Sequence, residues 1–170
     1  VNAIAMDTRG EITDPHSGRE DLEKQIIRTV GNPDERFGED ALRILRAVRF
    51  SASLGFMIEP TTIEAIKKHS NWLIAISKER IRDEFLKIIE SSRAHEGVEL
   101  MRETGILEHV IPELLEGIGV DQNLHHIYTV WEHNLRALKY TVEKKYSLAV
   151  RLAALLHDVG KPRTKRGEGK

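Results

Sequence analysis

Two small groups of side chains in this sequence have the types and spacing to do chemistry. Asp40 and Arg43 stand three positions apart in the stretch RFGEDALRILRAVRF, residues 36–50. On a helix, i and i+3 side chains share a surface. A carboxylate there accepts hydrogen bonds, and a guanidinium offers a planar fork of donors. Side by side on a rigid element, they could read the polar edge of a nucleobase much as a paired base does. The plainer alternative is a surface ion pair in a charged helix. The second group is His133, His157 and the adjacent Asp158. Two imidazole nitrogens and a carboxylate suit a divalent metal. Histidines scattered over helices also serve purely structural ends, and that alternative stands beside the first.

Helices must position both groups. Arg36 to Phe50 is expected to form one helix running on to Leu54, with Glu39 and Asp40 in its first turn and Gly55 as its stop. Ala41, Ile44, Leu45, Val48 and Ala52 recur at helical spacing as its apolar face. Arg43, Arg46 and Arg49 come every third residue on the other side. Downstream, helices are expected over Thr61–His69, Lys78–Ser91 and Ala94–Glu103, with a short one in PELLEG. In the second of these, Ile81, Phe85, Ile88 and Ile89 form a core face. Arg80 and Glu84 lie among its polar residues. His125 and His126 precede a helix from about Tyr128 to Thr141, and His126 and His133 share a face by spacing. The apolar helix Leu148–His157 then ends at Gly160 and Pro162. At the start, Val1–Met6 reads as strand or buried helix. Gly10, Asp14-Pro15 and Ser17-Gly18 mark turns, and Ser17 with Glu20 fits a capping box for a helix from Gly18 to Val30.

Composition narrows the classes. The 170 residues carry 26 basic and 27 acidic side chains, so no global positive charge points to nucleic acid and any RNA contact must be local. Without cysteine, disulfides and thiolate metal sites are excluded, and a reducing cytoplasmic setting is the expectation. No apolar run is long enough to span a membrane.

Motif order adds a resemblance. EDALR at 39–43 is similar to the EDxxR motif of class II nucleotidyltransferases: tRNA CCA-adding enzymes, their CC-adding and A-adding relatives, and bacterial poly(A) polymerases. That likeness implies that Asp40 and Arg43 form an amino-acid template for incoming CTP or ATP, with Arg46 in the same nucleotide-binding set. VNAIAM resembles the tail of the family motif RRDFTINALA. A catalytic head that binds Mg2+ through its carboxylates is therefore expected upstream of this segment, with no catalytic residue within it and no transfer activity of the segment alone. The stretch 7–22 resembles the family's G...DP.GG..DL linker, with Ser17 where a first glycine is common. ERIRDEFLKII resembles the next motif, which implies that Arg80 and Glu84 brace the nucleotide-binding helix. Residues 121–170 resemble the start of an HD domain with its H...HD...D pattern. This implies a divalent-metal site at His133, His157 and Asp158, incomplete because the final aspartate has no counterpart.

The expectation is thus a mainly all-α chain: a short extended segment, a helical neck and body, then a partial helical HD domain. Its parts are residues 1–30 as head tail and linker, 31–120 as nucleotide-selecting and RNA-binding neck, and 121–170 as partial HD domain. The parent would add C and A from CTP and ATP to the 3′ end of tRNA without a nucleic-acid template, and would have no membrane partner. The alternatives are a bacterial poly(A) polymerase, an HD-domain metal-dependent phosphohydrolase acting at His133, His157 and Asp158, and a non-catalytic helical RNA-binding adaptor.

Overall fold

A computed structural model describes residues 4–121 and 127–164. Helices dominate. In order they are α1 (Gly18–Glu23), α2 (Pro33–Glu39), α3 (Leu42–Leu54), α4 (Pro60–His69), α5 (Lys78–Glu90), α6 (Ala94–Glu103), α7 (Leu107–Val110), α8 (Val130–Glu143), α9 (Leu148–Leu156) and α10 (Lys161–Thr164). 3₁₀ helices follow α4 (Ser70–Ala75) and α7 (Pro112–Gly117). Two short ladders complete the described residues. β1 (Ala5–Met6) pairs antiparallel with β2 (Ile12–Thr13), and β3 (Ile26–Ile27) pairs parallel with β4 (Met57–Ile58). The mainly helical expectation holds.

Two local expectations do not. The helix from Gly18 stops at Glu23 instead of running to Val30. Gln25 turns with φ 56°, and the β-branched pair Ile26-Ile27 leaves to join β4. Long-range strand pairing overrides local periodicity here. The cap is also different. Ser17 is left-handed and its side chain caps nothing; the Asp14 carboxylate takes the Gly18 and Arg19 N–H groups at 2.7 and 2.9 Å.

The second correction falls on the template segment. The single helix expected from Arg36 to Leu54 is two helices broken at Asp40, whose backbone is extended (φ −155°, ψ 103°). Asn32 caps α2 by accepting the Asp34 N–H, and Pro33 fills the first helical position. Asp40 then opens α3: its Oδ1 accepts the Leu42 N–H at 3.1 Å and its carbonyl accepts the Arg43 N–H at 3.0 Å. An aspartate that bonds the backbone just ahead competes with helix continuation, and Gly38 weakens the turn before it. Glu39 and Asp40 therefore end one helix and start the next.

α3 is the centre of the core. Ile44, Leu45 and Val48 are fully buried, packed with Ile81, Phe85, Ile88 and Ile89 of α5 and Val98 and Met101 of α6. Gly97 lets α6 approach: a Cβ there would stand 2.7 Å from Ile88 Cγ2 and 3.0 Å from Ala52 Cβ. The same apolar cluster continues into Trp131 and Leu138 of α8 and Leu155 of α9, with Leu135, Leu152 and Leu156 packed at its margin. A polar clamp adds to it. Arg151 of α9 donates through Nη1 to the carbonyls of Ile89, Glu90 and Ser91 at 2.9–3.1 Å, closing the C-terminus of α5. A cation at that end also answers the helix dipole.

Candidate nucleotide site and histidine–aspartate cluster

The α2–α3 break sits at the edge of a cavity of about 350 Å³. Its apolar floor comes from Ile27, Phe37, Ala47 and Phe50, and four guanidiniums, Arg28, Arg36, Arg43 and Arg46, line it. Three are answered by local acids. Arg28 pairs with Asp21 at 2.8 Å, and Glu39 bridges Arg36 at 2.8 Å and Arg43 at 2.7 Å. Among the described residues Arg46 pairs with no acid; its guanidinium lies 5.9 Å from the Phe50 ring centroid. A concave site with an apolar floor and several positive groups suits a flat, anionic ligand such as a nucleotide.

The expected contact between Asp40 and Arg43 is not made. Arg43 turns to Glu39, and Asp40 Oδ2 accepts from Arg80 Nη2 at 2.9 Å. The extended backbone at Asp40 takes it off the helical face that i, i+3 spacing assumes. Glu39, at i−4 from Arg43, has the longer reach. Both template candidates still flank one backbone break. Arg80 and Glu84, in turn, both lie against the template helices. Besides the Arg80–Asp40 bond, buried Glu84 pairs with Arg49 of α3 at 2.9 Å and with Lys87 at 3.0 Å.

The second group converges. α8 and α9 form a hairpin that brings the first turn of α8 against the end of α9. The donor atoms of His133, His157 and Asp158 all lie within 4.8 Å of one another. Thr129 and Glu132 build a reciprocal capping box at the start of α8, which fixes that first turn. His133 Nε2 and His157 Nε2 are 3.1 Å apart, and His157 Nδ1 lies 2.9 Å from the Ala154 carbonyl. A carbonyl only accepts, so Nδ1 carries the proton. His157 Nε2 faces both the His133 ring and the Asp158 carboxylate. Asp158, buried at the helix end, places Oδ2 3.3 Å from His157 Nε2 and 2.6 Å from Lys161 Nζ. In donor type the three residues fit a divalent ion, although the Lys161 ammonium shares the Asp158 oxygen. His125 and His126 lie outside the described residues.

One cluster has no local sequence signal. His69 of α4 is buried, lies 2.6 Å from Asp34 of α2 through Nε2, and stacks on Trp72 with ring centroids 3.7 Å apart. The hydrogen bond from His69, then that from Lys68, holds the Asp34 carboxyl below its ordinary range. The partners are 35 residues apart, so spacing says nothing of them.

Comparison with known proteins follows the same lines. Residues 55–117 match the family described as "Probable RNA and SrmB-binding site of polymerase A". The A-adding tRNA nucleotidyltransferase of Deinococcus radiodurans is 37% identical over 96% of this chain and 39% of its own length. The CCA-adding enzyme of Bacillus velezensis is 43% identical over 65% of this chain and 28% of its own length. The crystal structure of the Bacillus stearothermophilus CCA-adding enzyme in complex with CTP superposes with a TM-score of 0.65 at 33% identity, over 94% of this chain and 42% of that one. Fold, site and relatives together define the class: the chain belongs to the class II family of CCA-adding enzymes and poly(A) polymerases. It spans well under half the length of these relatives. CCA-adding enzymes are nucleotidyltransferases that normally use a divalent metal.

Proposed function

We propose that this chain is the nucleotide-selecting part of a tRNA nucleotidyltransferase that adds C and A from CTP and ATP to the tRNA 3′ end. The observation that carries this is the arginine-lined cavity at the α2–α3 break, with Arg43 and Arg46 on its wall and Asp40 at the junction. The similarity to a CTP-bound CCA-adding enzyme over 94% of this chain supports it. In this reading Arg43 exchanges Glu39 for the acceptor edge of the base, while Asp40 offers the complementary acceptor. The exchange is cheap because Arg43 and Glu39 are both about two-fifths exposed, and a pair of that kind is worth roughly 0–1 kcal/mol. Arg80 orients Asp40, and Glu84 holds α3 through Arg49.

A hard divalent ion does not fit this cavity. Glu39 is held by two arginines and Asp40 by a third, so no free carboxylate pair faces the site among the described residues. In this reading Mg2+ for the transfer is held by carboxylates outside this cavity, and the chain divides into residues 1–30, 31–120 and 121–170. His133, His157 and Asp158 would hold a different divalent ion, which when bound would supply a Lewis acid for phosphoester hydrolysis. The contact of His157 Nδ1 with the Ala154 carbonyl orients the ring for this. The balance between CCA addition and poly(A) synthesis rests on nucleotide choice. Incubating the full-length protein with tRNA lacking its 3′ end, magnesium, and labelled CTP and ATP tests it. Stepwise addition of two C and one A is expected, and a long A-only tail would select the poly(A) polymerase reading.

A further inference from the structure

The α2–α3 break borders a second cavity, of about 600 Å³, which shares Phe37 with the first but none of its arginines. Gly38, Asp40, Ala41, Trp72, Ile76 and Arg80 line it. Its chemistry is that of a base pocket: an indole wall, small apolar neighbours, and at the rim the Arg80 guanidinium with two carboxylates, Glu39 and Asp40. Trp72 is unusual in this chain. It is 37% exposed, whereas Trp131 is 6% exposed and packed in the core. Trp72 is also held in place beforehand. His69 stacks on it and is itself tied to Asp34, and the fully buried Leu73 anchors the 3₁₀ helix that carries it. An exposed aromatic that is already ordered loses little freedom when a ligand stacks on it.

We infer that this second cavity seats the unpaired 3′-terminal base of the RNA acceptor, with Trp72 as its stacking surface. The inference rests on the nucleotide-selecting role of the α2–α3 break. The new bond joins the incoming nucleotide to the RNA terminus, so the terminal base must lie next to the selected one. Asp40 is the residue common to both tasks: it stands at the template break and lines the Trp72 cavity. Single-stranded RNA is commonly held by stacking unpaired bases on aromatic rings, and every base offers a π-face, so such a seat accepts C and A alike. That tolerance suits a terminus whose identity changes with each addition.

The test uses the full-length protein, ATP, and tRNA ending in CC. Trp72→Leu keeps apolar bulk and removes the ring face; Trp72→Phe keeps a ring. Ala75→Leu crowds the cavity from the 3₁₀ helix, away from the α2–α3 break. Trp72→Leu and Ala75→Leu should each raise the KM for tRNA roughly tenfold, with the KM for ATP unchanged and Trp72→Phe near wild type. Melting temperatures identify folded variants, and Ala75→Leu decides the matter if Trp72→Leu does not fold. An unchanged KM for tRNA in the folded variants, or a rise in the KM for ATP alone, overturns the assignment. The template role is read separately, from the CTP-to-ATP preference of Asp40 and Arg43 variants, so failure of the seat and failure of the template role give different results.

Discussion

At the α2–α3 break the functional side chains come from the place where a helix stops. In the α8–α9 hairpin they come from the start of one regular helix and the end of the next. The electrostatics differ accordingly. Around the break the arginines are partly exposed and held by carboxylates one turn away, Glu39 above all. Those pairs are weak and exchangeable, so a ligand can replace them at little cost. In the hairpin, Asp158 is buried and the His157 ring is fixed by the Ala154 carbonyl. Its geometry is preset for one kind of ligand. In the proposed reading, the contrast is between a surface that re-pairs with alternative bases and a cluster shaped for a single ion.

Substitutions can break or sharpen this contrast. The largest stability effect is expected at Glu84, the buried acid under the exchangeable site. Glu84→Ala leaves Arg49 without its carboxylate and should lower unfolding free energy by about 3 kcal/mol in urea titration. A loss near zero would mean that α3 needs no brace. In the hairpin, His157→Ala should weaken Mn2+ or Zn2+ binding by about a hundredfold in calorimetric titration, and Lys161→Met should tighten it by freeing the Asp158 oxygen. Equal affinity in wild type and His157→Ala would dismiss the cluster as a metal site. Arg151 joins the two regions, and Arg151→Ala should cost about 2 kcal/mol while Arg151→Lys recovers part of it. Smallest is Thr129→Ala, about 1 kcal/mol for a lost cap. Hydrogen bonds from the Thr129 N–H and hydroxyl hold the Glu132 carboxyl below its ordinary 4.5. A lowered folded value stabilises above the unfolded one and is lost as pH falls through the folded one. The gap in melting temperature between wild type and Thr129→Ala should therefore narrow below about pH 4.

How much of this was legible in the sequence follows from the same contrast. The grouping of His133, His157 and Asp158 came from the resemblance to an HD domain, and the regular apolar faces of α8 and α9 let the two helices bring them together. The apolar face of α3 was legible from its helical spacing. Spacing failed at Asp40, where one side chain bonded to the backbone replaced a helical turn with a junction and sent Asp40 to Arg80 instead of Arg43. It failed again at Ile26-Ile27, where β4, about 30 residues on, took the pair out of a helix. The His69–Asp34–Trp72 cluster and the Arg151 clamp left no trace, since contacts 35 and 60 residues apart have no periodicity to read.

The central claim is that the α2–α3 break chooses the nucleotide. Its most direct test is the ratio of kcat/KM for CTP and ATP in the full-length protein, compared with Asp40→Ala and Arg43→Ala at wild-type melting temperature. Loss of one charge-assisted hydrogen bond to the base is worth about 2 kcal/mol, so each variant should shift the ratio or the rate by roughly thirtyfold. Unchanged preference and rate in both folded variants would contradict it.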